Sequence, residues 1–591
     1  MCGLFGVVGP WALDLQAAEA ALASRGPDDS GRYDAEGCRL LHTRLAIQDL
    51  SPLGHQPMCS ADGRLALVFN GEIYNAPALR RRLEATGCRF RSSSDTEVIL
   101  QGFASWGERI WAELDGIFAC AIWDAEQQRL SLARDRFGIK PLYLQQRPGA
   151  LAFASELSAL RAAGATAVDR EALPAYALWG AFAAEQTPLE GVSRLPAGAV
   201  AQWSAATGLQ LCPPAPASAP APAPTSLEQA VAGVRQRLQA AVQAQMIGDV
   251  PVGCFLSGGL DSGVLAALLQ DCSGERVTSL CVGFGGDGMD ESARAQLTAD
   301  HLGTAHHTIR FASGELDALF DDFLEAIDAP SIDGFNTFLV SRAAHRIGLK
   351  VAFSGLGADE VFAGYAQFSQ WQQALEQALA PSPLGRLPVQ LLRLGGQQGR
   401  AYANRGLAAA LDLRRIPFHG LSAARCRPLL EQRLGLLGTP LEPTLASLSR
   451  LELAGYLRDT LLRDTDAVSM HTALEVRVPY LDTALVHYCL QLPGAWQLAD
   501  GPKTLLRRAW GHRLPAQVLQ APKSGFNLPL GPWLLSRSRF APGRISRQLK
   551  PWGVPRRAVL ASWAYLRGRP QHWQPYWRWV VLAEWLGGCT P

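Results

Sequence analysis

Lysine is scarce in this sequence: Lys140, Lys350, Lys503, Lys523 and Lys550 are the only five in 591 residues, and arginine carries the rest of the positive charge. Lys and Arg together number 55 against 53 Asp and Glu, a net charge of +2. That balance excludes, as descriptions of the whole chain, a strongly basic nucleic-acid binder and an acidic disordered solubiliser. The 12 cysteines are scattered, with no Cys-x-x-Cys pair and no zinc-like cluster. Such usage fits a reducing compartment, where free Cys acts as a small buried apolar residue. No run of 18 apolar residues occurs, and the opening Met-Cys-Gly-Leu-Phe-Gly has no basic n-region and no long apolar h-region. These absences predict a soluble, cytoplasmic protein without a membrane or nucleic-acid partner.

What is present is enough apolar residue, 48%, to bury a large core, in a chain long enough for two or three domains. Residues 213–224 hold six prolines in twelve positions, which can complete neither a helix nor an inner strand and predict an extended spacer. Before it, Leu65–Phe69, Ala119–Trp123 and Arg129–Ala133 read as strands, and 76–84 and 96–106 as helices. After it, a helix over 227–245 precedes strand-like runs at 250–256, 277–284 and 351–354 interleaved with helical ones. That alternation predicts a parallel sheet covered by helices. Beyond residue 365 the chain is mainly helical in character. The expected units are 2–210, a linker 211–226, 227–535, and an extension 536–591.

Cys2 follows the initiator directly. Removal of Met1 would leave a thiol and a free α-amine on one residue, with ordinary pKa values of about 8.5 and about 7.7–8.0. Those values are close enough for the amine to take the thiol proton near neutrality. Downstream stand Arg25-Gly26-Pro27-Asp28, Arg44 within His-Thr-Arg-Leu-Ala-Ile, Asn70-Gly71-Glu72-Ile73-Tyr74-Asn75, Ser94-Asp95-Thr96-Glu97 and Arg134-Asp135-Arg136-Phe137-Gly138-Ile139-Lys140-Pro141-Leu142-Tyr143. Together these resemble the class II glutamine amidotransferases over roughly residues 2–200. The resemblance implies an N-terminal-nucleophile hydrolase sandwich of αββα layers, with Cys2 attacking the glutamine amide. It also implies an oxyanion hole from the Asn70 side chain and the Gly71 N–H, and a glutamine pocket that includes Glu72. A guanidinium, Arg44, would clamp the α-carboxylate and a carboxylate, Asp95, the α-ammonium. Ser24 stands where many relatives have His.

Phe255-Leu256-Ser257-Gly258-Gly259-Leu260-Asp261-Ser262 follows an apolar run and opens a helical one. A strand, a glycine-rich turn and a helix start expose backbone N–H groups suited to phosphate oxygens. Gly-x-x-x-x-Gly-Lys-Ser/Thr is absent, which excludes a Walker A loop. Ser-Gly-Gly-x-Asp-Ser instead resembles the pyrophosphate loop of ATP pyrophosphatases, an α/β parallel-sheet fold of the adenine nucleotide alpha hydrolase kind. Asp261 would repel phosphate directly, so its carboxylate implies Mg²⁺ between them. A second acidic segment, Ser354-Gly355-Leu356-Gly357-Ala358-Asp359-Glu360, supplies Asp359 as the partner ligand. The resemblance implies ATP contacts from Leu256, Ser257, Gly258, Gly259, Asp261, Ser262, Val282, Ser354 and Gly355, and a catalytic ammonium from Lys523. Arg477 and Asp482, in the run from Glu475 to Asp482, read as packing and ion-pairing residues.

Both halves together resemble the glutamine-hydrolysing asparagine synthetases over residues 2–535. The mechanism implied is glutamine hydrolysis at Cys2, internal passage of ammonia, and attack on an acyl-adenylate made from ATP and a carboxylate such as aspartate. Family members carry an acid directly after Ser-Gly in the second acidic segment, where this chain has Leu356. That departure leaves aspartate and other carboxylates, such as a sugar acid or natural-product acid, as alternative acceptors. Asp333, Arg342 and Glu360 are the acceptor-pocket candidates. A homodimer is possible on this reading. The last 41 residues hold six of the 16 tryptophans, expected to pack as helices on the synthetase core.

Overall fold

The computed structural model describes residues 2–164, 167–212, 223–284, 291–379, 444–521, 528 and 530–587. Most of the proline-rich spacer, and Lys523, therefore lie outside the described residues.

The first half is built on twelve strands: β1 (Cys2–Val8), β2 (Asp29–Ala35), β3 (Cys38–Arg44), β4 (Met58–Cys59), β5 (Leu65–Ile73), β6 (Gly116–Asp124), β7 (Arg129–Arg134), β8 (Tyr143–Arg147), β9 (Ala150–Ala154), β10 (Val192–Arg194), β11 (Val200–Ser204) and β12 (Gly208–Leu211). They form two six-stranded antiparallel sheets, ordered β10-β8-β9-β1-β3-β2 and β12-β11-β7-β6-β5-β4. Alternation along each strand sorts the side chains by layer. Leu4 and Val8 of β1 meet Ala66 and Val68 of β5 and Ala119 and Ala121 of β6 between the sheets. Phe5 and Val7 turn the other way onto Ala18 and Leu22 of the helix Leu15–Leu22. Leu67 and Phe69 of β5 turn onto Leu79, Val98 and Phe103 of the helices Ala76–Ala85 and Asp95–Trp106. Both faces of each inner strand are thus buried, giving the αββα layering of an N-terminal-nucleophile hydrolase. It also explains why β5 and β6 read as nearly unbroken apolar runs.

The second half carries β13 (Val252–Phe255), β14 (Thr278–Phe284), β15 (Ala305–Phe311), β16 (Val351–Phe353) and β17 (Glu475–Arg477) in one sheet, ordered β15-β14-β13-β16-β17. Every pairing in it is parallel. Chain order runs outward from β13 in both directions, so the carboxyl ends of β13 and β16 flank the point where the order reverses. Parallel sheets place ligands in that crevice. The helix Leu260–Cys272 leaves β13 there, and Ser354-Gly355 leaves β16.

Three C-terminal helices, Pro542–Leu549, Arg556–Gly568 and Gln574–Leu586, pack on one another. Trp577 enters the core of the second half against Phe320, Phe323 and Phe335 at ring-centroid distances of 5.2, 6.1 and 5.7 Å. Among the described residues, no helix is long and apolar enough to cross a membrane.

Candidate active sites

Cys2 opens β1 and pairs across the sheet with Arg44 at the end of β3. Its backbone N donates to Asn70 Oδ1 at 2.9 Å. With that oxygen taken, the buried Asn70 Nδ2 has no partner among the described residues, as an oxyanion donor awaiting substrate would require. Gly71 follows on β5 with φ of 153°, and a Cβ there would lie 2.0 Å from the Ile117 carbonyl oxygen. Only glycine fits so close to a neighbouring strand. Burial pushes the Cys2 thiol upward, and the Glu475 carboxylate adds to this. A neighbouring base to take its proton is therefore needed.

Asp95 begins the helix Asp95–Trp106 and accepts from the Ile73 N–H at 2.9 Å. Burial pushes its carboxyl up to about 6, a state that a bound ammonium would reverse. Arg44 donates to the carbonyl oxygens of Ser51 at 3.1 Å and of Gln48 and Asp49, so the 48–51 turn fixes its guanidinium. Glu72 accepts from the Gln48 side chain and faces Arg477 at 3.7 Å. Burial, with Glu475 nearby, raises the Glu72 carboxyl well above the usual range.

At the carboxyl end of β13, Gly258 sits at φ of 70°, where a Cβ would strike Arg294 Cβ at 2.7 Å. Ser262 Oγ closes the loop, accepting from the Ser257 N–H at 3.1 Å and donating to the Gly259 carbonyl at 3.3 Å. Beside this turn lies a cavity of about 150 Å³ lined by Leu256, Ser257, Leu280 and Val282, and by Asn336, Thr337 and Val340 of the helix Phe335–Arg346. Gly355 backs closely onto Asp261: an added Cβ would lie a tight 3.3 Å from the Asp261 Cβ.

Lys503 was missed as a site residue in the sequence. Its ammonium bonds Asp261 and lies 2.7 Å from Asp359 Oδ1. It is held at φ of 60°, and Gly364 leaves space for it: a Cβ on Gly364 would fall 2.2 Å from Lys503 Cε. The scarcity of lysine was the available signal. Two carboxylates converging on one cation also fit a divalent ion, with oxygen ligands from Asp261 and Asp359. Tyr480 Oη donates to the Asp261 carbonyl at 2.8 Å, bracing the same loop from below.

Each acceptor candidate has a partner of its own. Asp333 accepts from Tyr456 Oη at 2.8 Å and from the Gly334 N–H at 2.8 Å. Arg342 pairs instead with Asp322 on the neighbouring helix Leu316–Ala326. Glu360 is buried, pushed up to about 7 by burial, and accepts from Tyr365 Oη at 2.6 Å. Leu356 packs against the main core.

Two contact sets tie the halves together. Arg25 donates to the Cys2 carbonyl at 3.1 Å and pairs with Glu156 at 2.8 Å and with Asp466, across the domain boundary, at 2.9 Å. Lys140 meets the same Asp466 at 3.0 Å. Farther along, Arg477 faces Glu72 of the first half at 3.7 Å, and within its own half it pairs with Glu475 and donates to the carbonyls of Gln245 and Ile247. The ion-pairing reading of Arg477 agrees with this.

Comparison with known proteins follows the same division. The Glutamine amidotransferase domain family matches residues 1–210 and the Asparagine synthase family residues 233–587. A Mycobacterium tuberculosis protein named "Putative asparagine synthetase (glutamine-hydrolyzing)" is 32% identical over 90% of this chain and 88% of its own. Asparagine synthetase (glutamine-hydrolyzing) 1 of Bacillus subtilis is 29% identical over the same shares. A Penicillium rubens protein named "Amidase chyE" is 32% identical over 60% of this chain and 55% of its own. The chain belongs to the glutamine-hydrolysing asparagine synthetase family, and is a ligase that takes its nitrogen from glutamine.

Proposed function

We propose that Cys2 hydrolyses glutamine and that the ammonia passes inside the protein to an aspartyl-adenylate, releasing asparagine, glutamate, AMP and pyrophosphate. The α-amine of Cys2 takes the thiol proton. Asn70 Nδ2 and the Gly71 N–H then stabilise the tetrahedral oxyanion, while Arg44 and Asp95 hold the two ends of the amino acid. At the second site the 257–262 turn receives the phosphates, and Leu256, Val282 and Gly355 contact adenosine. Asp261 and Asp359 would hold Mg²⁺, which when bound offsets phosphate charge. Lys503, and Lys523 outside the described residues, offer ammonium groups to the departing pyrophosphate.

Adenylation is needed because a free carboxylate is a poor electrophile. Internal passage is needed because ammonia released to water is protonated and loses its nucleophilic lone pair. The observation that carries this reading is β17. Its first residue, Glu475, is buried close enough to Cys2 and Asp95 to push both upward in concert with burial. The carbonyl of its last residue, Arg477, accepts from the Ser354 N–H at 2.8 Å, next to the nucleotide turn. One short strand thus borders both sites.

A second reading keeps this chemistry and replaces aspartate with another carboxylate. Leu356 favours it, since leucine can neither accept a proton nor bind a cation, and Arg342 is committed to Asp322. ATP–pyrophosphate exchange with a panel of carboxylic acids separates the two. Exchange with aspartate supports the first reading, and exchange with another acid alone supports the second. Exchange with none removes adenylation from both.

A further inference from the structure

The charge of this chain is unevenly placed. Residues 501–591 contain 15 Lys and Arg and a single acid, Glu584, whereas residues 1–500 contain 40 Lys and Arg against 52 acids. A general preference for arginine does not produce this, because what the C-terminal segment lacks is Asp and Glu. Several of its cations are used internally: Lys503 with Asp261 and Asp359, Arg513 with Asp271, Arg537 with Asp317, and Arg539 with Asp321 and Glu584. The buried Arg578 donates to the Ala177 carbonyl at 2.6 Å.

Seven remain exposed with no ion pair among the described residues: Arg544, Arg547, Lys550, Arg556, Arg557, Arg567 and Arg569. They lie on or beside two helices that pack on each other and on Gln574–Leu586. The apolar sides of both helices are spent inward: Ile545 and Leu549 on the first, Val559 and Leu566 on the second, are fully buried. What faces water is a cationic surface with one exposed large apolar side chain, Leu560.

Half-buried Trp563 lies on the second of these helices and half-buried Trp573 just after it, edge-on to Tyr576 at 4.9 Å and Trp577 at 5.6 Å respectively. Rings packed in this way offer no open platform for stacked bases. Tryptophans with one side in the protein and one in water are instead the kind found at headgroup level, and guanidinium groups pair bidentately with phosphate. We propose that this face adsorbs the chain to a bilayer surface rich in anionic phospholipid, through charge and without insertion. Such adsorption is separate from spanning, for which no described helix is suited.

The test is flotation of the full chain with vesicles of phosphatidylcholine alone, or with 40% phosphatidylglycerol, at 50, 150 and 500 mM NaCl. The expected result is binding to the anionic vesicles at 50 mM that falls at least tenfold by 500 mM, with none to the neutral ones. The combined variant Arg544→Glu, Arg547→Glu, Arg556→Glu and Arg557→Glu should lower the partition coefficient more than tenfold while keeping ammonia-dependent synthesis. Arg81→Glu with Arg89→Glu, exposed on the glutaminase half, should leave binding within twofold. Equal binding to neutral vesicles, no binding at 50 mM, or a partition coefficient of the fourfold variant within twofold of the parent chain overturns the proposal.

Discussion

The two ends of the reaction are built differently. Around Cys2 everything is inside: Cys2 is 7% exposed, Asn70 0% and Asp95 5%, each fixed by strands buried on both faces. At the nucleotide end the Asp261 and Asp359 side chains are 23% exposed, at loop and helix starts where a parallel sheet reverses its order. A site that generates a molecule easily lost to water has to be enclosed before the substrate's bond breaks. A site that receives a bulky, highly charged nucleotide has to stay open until charge neutralises charge. The first is held by packing, the second by a cation.

The largest expected consequence is at the enclosed end. Cys2→Ala should lower glutamine-dependent turnover more than ~10³-fold and leave ammonia-dependent turnover within about twofold, as read by amide formation with each donor. Equal loss with both would erase the contrast between the sites. Next, Asp359→Asn should reduce pyrophosphate release about 10²–10³-fold while glutamate release continues. A parallel fall in glutamate release would show that the open end governs the closed one.

The pH profile sharpens the contrast further. On the proposed reading glutamine's ammonium pairs with an ionised Asp95, whose carboxyl burial pushes up to about 6. Binding is therefore complete above that value and weakens as pH falls through it. The glutamine KM should rise about tenfold per unit below pH 6, with no such rise in the KM for ammonia after correction for its ionisation. The smallest effect is at Tyr480→Phe, which removes one hydrogen bond to the Asp261 carbonyl. A change of about fivefold in the magnesium-ATP concentration for half-maximal ammonia-dependent rate is expected. The glutamine KM should not move.

Much of this was legible beforehand, for physical reasons. Strands buried on both faces announce themselves as apolar runs, so Leu65–Phe69 and Ala119–Trp123 fall inside β5 and β6. The long amphipathic helix over 227–245 starts at Ser226, whose side chain caps Gln229 N at 3.3 Å, and has the expected bounds. β2 was not legible: its exposure alternates between partial and full, and its residues are mostly polar or small, so no periodic apolar signal arises. Motifs singled out Cys2, Asn70, Gly71, Asp95, Asp261 and Asp359 as candidates, because backbone turns and metal-type carboxylates leave compact strings.

Lys503 left no such string. Its closeness to Asp261 joins segments 242 residues apart, and only its rarity of type pointed to it. The same holds for the Arg25–Asp466 pair, whose partners belong to different halves. Arg342 and Asp333 show the converse: they are near in sequence, on one turn-and-helix segment, yet each finds its partner elsewhere.

On the proposed mechanism the nitrogen freed from the glutamine amide at Cys2 reaches the activated acid without leaving the protein. Turnover of glutamine labelled with ¹⁵N at the amide, in a bath of excess unlabelled ammonium at a pH where external ammonia is a poor competitor, tests it most directly. The account predicts amide product that keeps nearly all of the ¹⁵N. Product whose label falls to the isotopic composition of the bath would contradict it.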